Sequence, residues 1–163
     1  MSKPDFAYVI YINTTPEQLW KALTEGEFTR QYWGGRQITS EWTAGATVKL
    51  VKADGSLDWH GEVLESDPPH RLSYTFIPEN DDEMPGYEGE KVDLTRPEKP
   101  SRVTFEISEY MGQVRLTLIH DQFEEDSKVL QGISVGWPVI LSSLKSLLEG
   151  GSPLLRSDTD GTH

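Results

Sequence analysis

The chain has 163 residues, 36% of them hydrophobic and 10% aromatic, enough for one domain with a sizeable core. Its 27 acidic residues against 15 basic ones give a net charge of −12, which disfavours nucleic acid and anionic lipid as partners and favours solubility. There is no cysteine, so disulfides and thiol chemistry are excluded; with no charged-then-apolar leader and no long apolar run, the expectation is a cytoplasmic protein without membrane insertion.

In chain order, residues 6–12 (FAYVIYI) are aromatic and branched and predict a strand. Asn13-Thr14-Thr15-Pro16-Glu17 then offers a cap residue, a proline at the first helical position and an acid in the first turn, so a helix starts at Pro16 and buries Leu19, Trp20 and Leu23. Residues 28–33 form a second short helix closed by Gly34-Gly35. Strands follow at 37–42, 47–51, 59–66 and 71–77, separated by turn chemistry at Ala44-Gly45, Asp54-Gly55 and Asp67-Pro68-Pro69, which predicts an antiparallel meander.

Residues 78–100 carry eight acids, three bases and four prolines and almost nothing for a core. They read as a long surface loop, either without a role or acting as a lid. Beyond it, 102–110 places Val103, Phe105 and Ile107 on one face, and 114–120 does the same with Val114, Leu116 and Leu118. Met111-Gly112-Gln113 joins the two as a hairpin.

The last long element, 127–148, spaces Leu130, Ile133, Trp137, Ile140, Leu141, Leu144, Leu147 and Leu148 by threes and fours, the helical period. At 1.5 Å per residue it is roughly 33 Å long, enough to lie across six or seven strands. Burying these side chains contributes roughly 12–24 kcal/mol gross, an upper figure. Ser134, Ser142, Ser143, Lys145, Ser146 and Glu149 belong to the opposite face, and Gly150-Gly151 ends the helix. Gly132, Gly136 and Pro138 interrupt its first half, so a kink or gap near Gly136 is expected, with a cavity beneath it. Residues 151–163 are expected to be a flexible tail.

The order strand, two short helices, meander, long helix resembles the α+β helix-grip fold of the START and birch-pollen-allergen-like superfamily: a curved antiparallel sheet of six to seven strands wrapped around a long C-terminal helix. Runs 16–24 (PEQLWKALT) and 61–72 (GEVLESDPPHRL), with Gly136-Trp137 followed by Leu141, Leu144, Leu147, Leu148 and Glu149, sharpen the resemblance. They resemble bacterial proteins related to the C-terminal domain of the activator of heat shock protein 90 ATPase. The resemblance covers about 6–150 as a single helix-grip domain. In the eukaryotic activator the chaperone-stimulating motif lies in a separate N-terminal domain that the residues before Phe6 do not supply, so chaperone activation is not implied. What is implied is a cavity between helix and sheet for an apolar or amphipathic small molecule.

The aromatic residues Trp33, Trp59, Tyr74, Phe76, Phe105 and Trp137, together with Leu116 and His120, are the candidate ligand-binding set. The same residues could instead form a solid aromatic core. His120 shares a face with Val114, Leu116 and Leu118; it is either a strand-end histidine bonded to backbone or a polar partner for ligand at the cavity mouth. Arg36 is either a solvated surface residue or an anion contact at that mouth, while Glu106 and Arg115 alternate outward. The four histidines lack ligand spacing, so no metal or other cofactor is expected, and no nucleophile elbow or phosphate loop is present. Three functions follow: binding of a small molecule without catalysis, an enzyme of polyketide cyclase or dehydratase type using the same cavity, or a chaperone-associated module with a protein partner.

Overall fold

The computed structural model describes residues 5–78, 99–125 and 127–150. The chain order is β1 (Phe6–Ile12), α1 (Pro16–Thr24), α2 (Gly26–Tyr32), β2 (Gln37–Ser40), β3 (Thr47–Val51), β4 (Leu57–Asp67), β5 (Arg71–Pro78), β6 (Ser101–Tyr110), β7 (Gln113–Asp121) and α3 (Lys128–Gly150). All seven strands form one antiparallel sheet in the order β1-β7-β6-β5-β4-β3-β2. This is the helix-grip α+β architecture, a curved sheet with a long C-terminal helix. Strand β4 carries an extra residue at Asp58, opposite Leu50 and Val51 of β3, and another between Val63 and Glu65, bulges that bend that half of the sheet.

Local chemistry explains the element ends. The Thr15 hydroxyl caps α1 by accepting from the Gln18 amide (3.2 Å), with Pro16 in the first turn. The β6–β7 hairpin turns through Met111 (φ 53°) and Gly112 (φ 80°), the two left-handed residues that a two-residue hairpin loop requires. Strand β2 ends at Ser40, two residues short of its expected limit, because Trp42 takes a left-handed conformation (φ 56°) and turns its indole Nε1–H onto the Thr24 carbonyl (2.9 Å).

Helix α3 runs unbroken through Pro138, so the expected gap does not occur. Its buried face comprises Val129, Gly132, Ile133, Gly136, Trp137, Ile140, Leu141, Ser143 and Leu144. Ser143 therefore lies inward, in a stripe of small residues with Gly132 and Gly136, and not on the polar face where the sequence placed it. Leu130, Leu147 and Leu148 are only partly buried, as is Trp20 on α1. The core otherwise lies between α3 and the inner sheet face, where β7 contributes Val114, Leu116, Leu118 and His120 by strict alternation.

β1 is an edge strand with no charged residue or proline. The end of α3 meets it there. The Lys145 ammonium donates to the Tyr11 carbonyl (2.8 Å), and the Asn13 amide donates to Glu149 Oε2 (2.7 Å), while Lys145 and Glu149 pair with each other at 2.6 Å. Of the expected acidic loop over 78–100, Pro78 ends β5 and residues 79–98 lie outside the described residues, as does the expected tail 151–163.

Candidate functional site

A continuous aromatic cluster fills the space under α3. Trp33, immediately after α2, contacts Trp59 of β4 and Trp137 of α3 at ring separations of 6.2 and 5.5 Å. Trp59 stacks on Tyr74 (5.2 Å) and leans on Phe76 (5.0 Å), and Phe105 bridges Tyr74 and Trp137 (6.2 and 6.0 Å). His120 joins at the far side, against Phe76 (5.0 Å) and Phe123 (4.6 Å). All eight residues singled out from the sequence are buried. Most of this cluster is solid.

The histidine sits in a fully connected polar chain. Trp137 Nε1–H donates to His120 Nδ1 at 3.0 Å. An indole can only donate, so Nδ1 carries the lone pair and the hydrogen resides on Nε2. Nε2–H then donates to Ser101 Oγ (2.7 Å), and the Ser101 hydroxyl donates to the Phe76 carbonyl (3.4 Å). Each group both has a partner and fixes the next one, which ties α3 to β7, β6 and β5. Burial without a neighbouring acid pushes the His120 pKa down to about 3, so the ring is neutral at ordinary pH. Both sequence alternatives for His120 are thereby corrected. It is bonded to side chains, not backbone, and it lies in the interior, not at a mouth. The reason is that Ser101 begins β6 one residue earlier than expected and reaches His120 diagonally, two positions along the strand from Val103, the residue paired with His120.

The opposite side of the cluster is open. A cleft there is lined by Trp33, Asp58, Trp59, Phe76, Pro78, Ile133, Gly136, Trp137 and Ile140. Its cavity volume is about 30 Å³, and about 370 Å³ when the space continuous with solvent is included. Four of the predicted residues, Trp33, Trp59, Phe76 and Trp137, form its walls. Tyr74, Phe105, Leu116 and His120 are not among the lining residues and belong to the packed cluster behind it.

Among the described residues Asp58 is the one titratable group in this lining, and sequence reasoning missed it. Arg36 Nε donates to Asp58 Oδ2 at 2.9 Å, with side-chain exposures of 18% and 8% for the two residues. Arg36 Nη1 also donates to the Gly34 carbonyl (3.3 Å). The approach depends on Gly34 and Gly35, both left-handed (φ 60° and 83°), which reverse the chain after α2 and bring Arg36 back over the cleft wall. Arg36 is thus neither solvated nor an unpaired anion contact. Desolvation raises the Asp58 pKa above the usual carboxylate range, against the opposing pull of Arg36 and Lys52.

Trp33 completes the wall. It is 3% exposed, and its Nε1–H is buried with no hydrogen-bond acceptor among the described residues. An unmet buried donor costs about 1–3 kcal/mol. Outward on the sheet, Glu106 pairs with Arg71, and Arg115 is exposed over the Tyr110 ring at 5.8 Å. No group of three histidine, aspartate or glutamate side chains converges to hold a metal among the described residues.

A family model described as "Activator of Hsp90 ATPase homolog 1-like protein" matches residues 13–149. Among solved structures, the Aha1 dimer from Colwellia psychrerythraea is similar at 21% identity and TM-score 0.67, over 91% of this chain and 98% of that one. A Mesorhizobium loti protein gives 23% identity and TM-score 0.69 over 89% and 96% of the two chains. An Hsp90 activator from Plasmodium falciparum gives 21% identity and TM-score 0.61 over 82% and 86%. At these identities the structural likeness establishes the fold alone. No curated protein sequence matches the chain.

Proposed function

Given that the chain belongs to the family of activator of Hsp90 ATPase homolog 1-like proteins, we propose that it binds a small apolar or amphipathic molecule in the cleft beneath α3, without catalysis of its own. The observation that carries this reading is the cleft itself: aromatic walls from α3, β4, β5 and the end of α2, interrupted by a single carboxylate already paired with Arg36. The cavity of about 30 Å³ takes only a small group of the ligand, the rest of which lies in space continuous with solvent. An enzymatic reading would require a second proton-transferring group beside Asp58. His120, held neutral and bonded on both nitrogens, does not supply it.

Native mass spectrometry of the protein purified from its own host, before and after denaturation, tests the proposal. The expected result is release of a co-purified apolar or amphipathic compound, or a thermal shift with members of a lipid and aromatic library. A clean apo mass with no shift across the library overturns it.

A second reading, a protein-interaction module, draws on the Hsp90 activator among the structural neighbours and on an exposed patch of Val9, Tyr11, Tyr110 and Met111. Tyr11 and Tyr110 contact each other at 5.7 Å on the outer sheet face. Pull-down of Hsp90 that is lost on Tyr11→Ser with Tyr110→Ser, while cleft ligands still bind, would support this reading; absence of capture by the wild type would remove it.

A further inference from the structure

Resting on the interaction reading above, we infer that the outer-face patch of β1 and the β6–β7 hairpin receives a protein segment that carries an apolar side chain beside a carboxylate, with the carboxylate meeting Arg115. Much of the outer sheet face answers its own charges. Arg71 holds Glu65 and Glu106 there, Arg102 holds Asp121, and the Ser73 and Thr104 hydroxyls meet at 3.1 Å. The β1 end differs. Val9, Tyr11, Tyr110 and Met111 are exposed, and the Tyr11 and Tyr110 rings approach each other across β7.

Arg115 supplies the charge. It pairs in register with Tyr11 of β1 and Ser108 of β6, and its guanidinium carbon lies 5.8 Å from the centre of the Tyr110 ring. Arg30, Arg36, Arg71 and Arg102 each hold a carboxylate, whereas Arg115 is exposed and holds none among the described residues. A guanidinium offers planar, paired N–H donors that match a carboxylate, so the partner brings the acid that this patch lacks. Two copies of the patch face to face would oppose two guanidinium groups, and the net charge of −12 works against nucleic acid and anionic lipid. An acidic side chain of another protein remains. Met111 marks the apolar half of the contact: it takes a left-handed conformation (φ 53°), where glycine, asparagine or aspartate is less strained, and at 83% exposure its side chain gains no packing that offsets the strain.

Two capped pentapeptides with the same apolar residues isolate the carboxylate: acetyl-ELWEL-amide and its neutral counterpart acetyl-QLWQL-amide. Each is titrated into the full chain and followed by the backbone amide resonances of Tyr11, Tyr110, Met111 and Arg115 in proton–nitrogen correlation spectra. The expected result is that both peptides move these resonances and that the acidic one binds about fivefold more tightly, the value of one exposed ion pair, against the repulsion of the chain's own net charge. That preference is lost in Arg115→Gln, whereas Tyr11→Ser with Tyr110→Ser weakens both peptides alike. Equal binding of the two peptides, or a preference that survives in Arg115→Gln, overturns the inference and leaves the interaction reading standing. If neither peptide moves these resonances up to its solubility limit, the inference also falls, and the interaction reading falls with it only if Hsp90 is not captured either. Self-association of the wild type in sedimentation that Tyr110→Ser abolishes assigns the patch to a second copy and overturns the inference. The two-peptide comparison on the wild type decides the matter even if a variant does not fold.

Discussion

Trp137 and Trp33 touch at 5.5 Å and both line the cleft, yet only the Trp137 indole N–H belongs to a polar network. The Trp137 indole passes its hydrogen bond to His120, then Ser101, then a backbone carbonyl of β5. The Trp33 indole N–H is buried and has no acceptor among the described residues. Residue type does not tell the two indoles apart; hydrogen-bond satisfaction does, because a buried donor with its partner stabilises the fold, whereas one without a partner costs free energy.

Acid pH tests the closed side most strongly. The unfolded histidine titrates near 6.5 and the folded His120 near 3, so between these values the unfolded chain binds the extra proton. The His120 contribution is therefore fully present above pH 6.5 and is lost as pH falls toward 3, by up to about 5 kcal/mol. Asp58 is displaced in the opposite sense: its raised pKa favours the folded state at low pH and that contribution declines as pH rises. Urea unfolding of wild type and His120→Gln across this range cancels the Asp58 effect, and the variant is expected to show the flatter profile.

At neutral pH, His120→Ala removes the middle of the chain and leaves a void, at a cost of about 3–5 kcal/mol in the same measurement. The two indoles then provide the direct contrast. Trp137→Phe strands His120 Nδ1 and is expected to cost about 2–3 kcal/mol. Trp33→Phe removes a donor that had no protein partner, which offsets the lost ring atoms, so its cost is expected to stay within about 1 kcal/mol. Equal costs for the two substitutions would break the comparison. Smallest of all, Tyr110→Ser on the outer face should change stability by no more than about 0.5 kcal/mol, since the ring is half exposed.

The fold was legible because its signals are periodic. β7 alternates buried and exposed as its sequence does, and the spacing of Ile133, Trp137, Ile140, Leu141 and Leu144 describes the α3 stripe. The cleft was half legible, since aromatic content identifies a cluster but not which part of it is empty. Asp58 escaped because it is buried beside Trp59, consecutive residues that alternation assigns to opposite faces, on a strand whose pairing is shifted by bulges. Its partner Arg36 arrives from another part of the chain, by a glycine-dependent reversal. The His120 chain escaped for a similar reason: its three side chains come from β6, β7 and α3, and no sequence spacing links them.

The pairing of Lys145 and Glu149 with the end of β1 has a consequence for the molecule in a crowded solution. An uncharged, proline-free strand at the border of a sheet is a template on which a strand of another chain can lay down further rungs. Here the Tyr11 carbonyl and the Asn13 amide are already taken by the last turns of α3. The helix that closes the ladder's core thereby also blunts its growing end, so a foreign strand must first dislodge two charged side chains before polymerisation can start there.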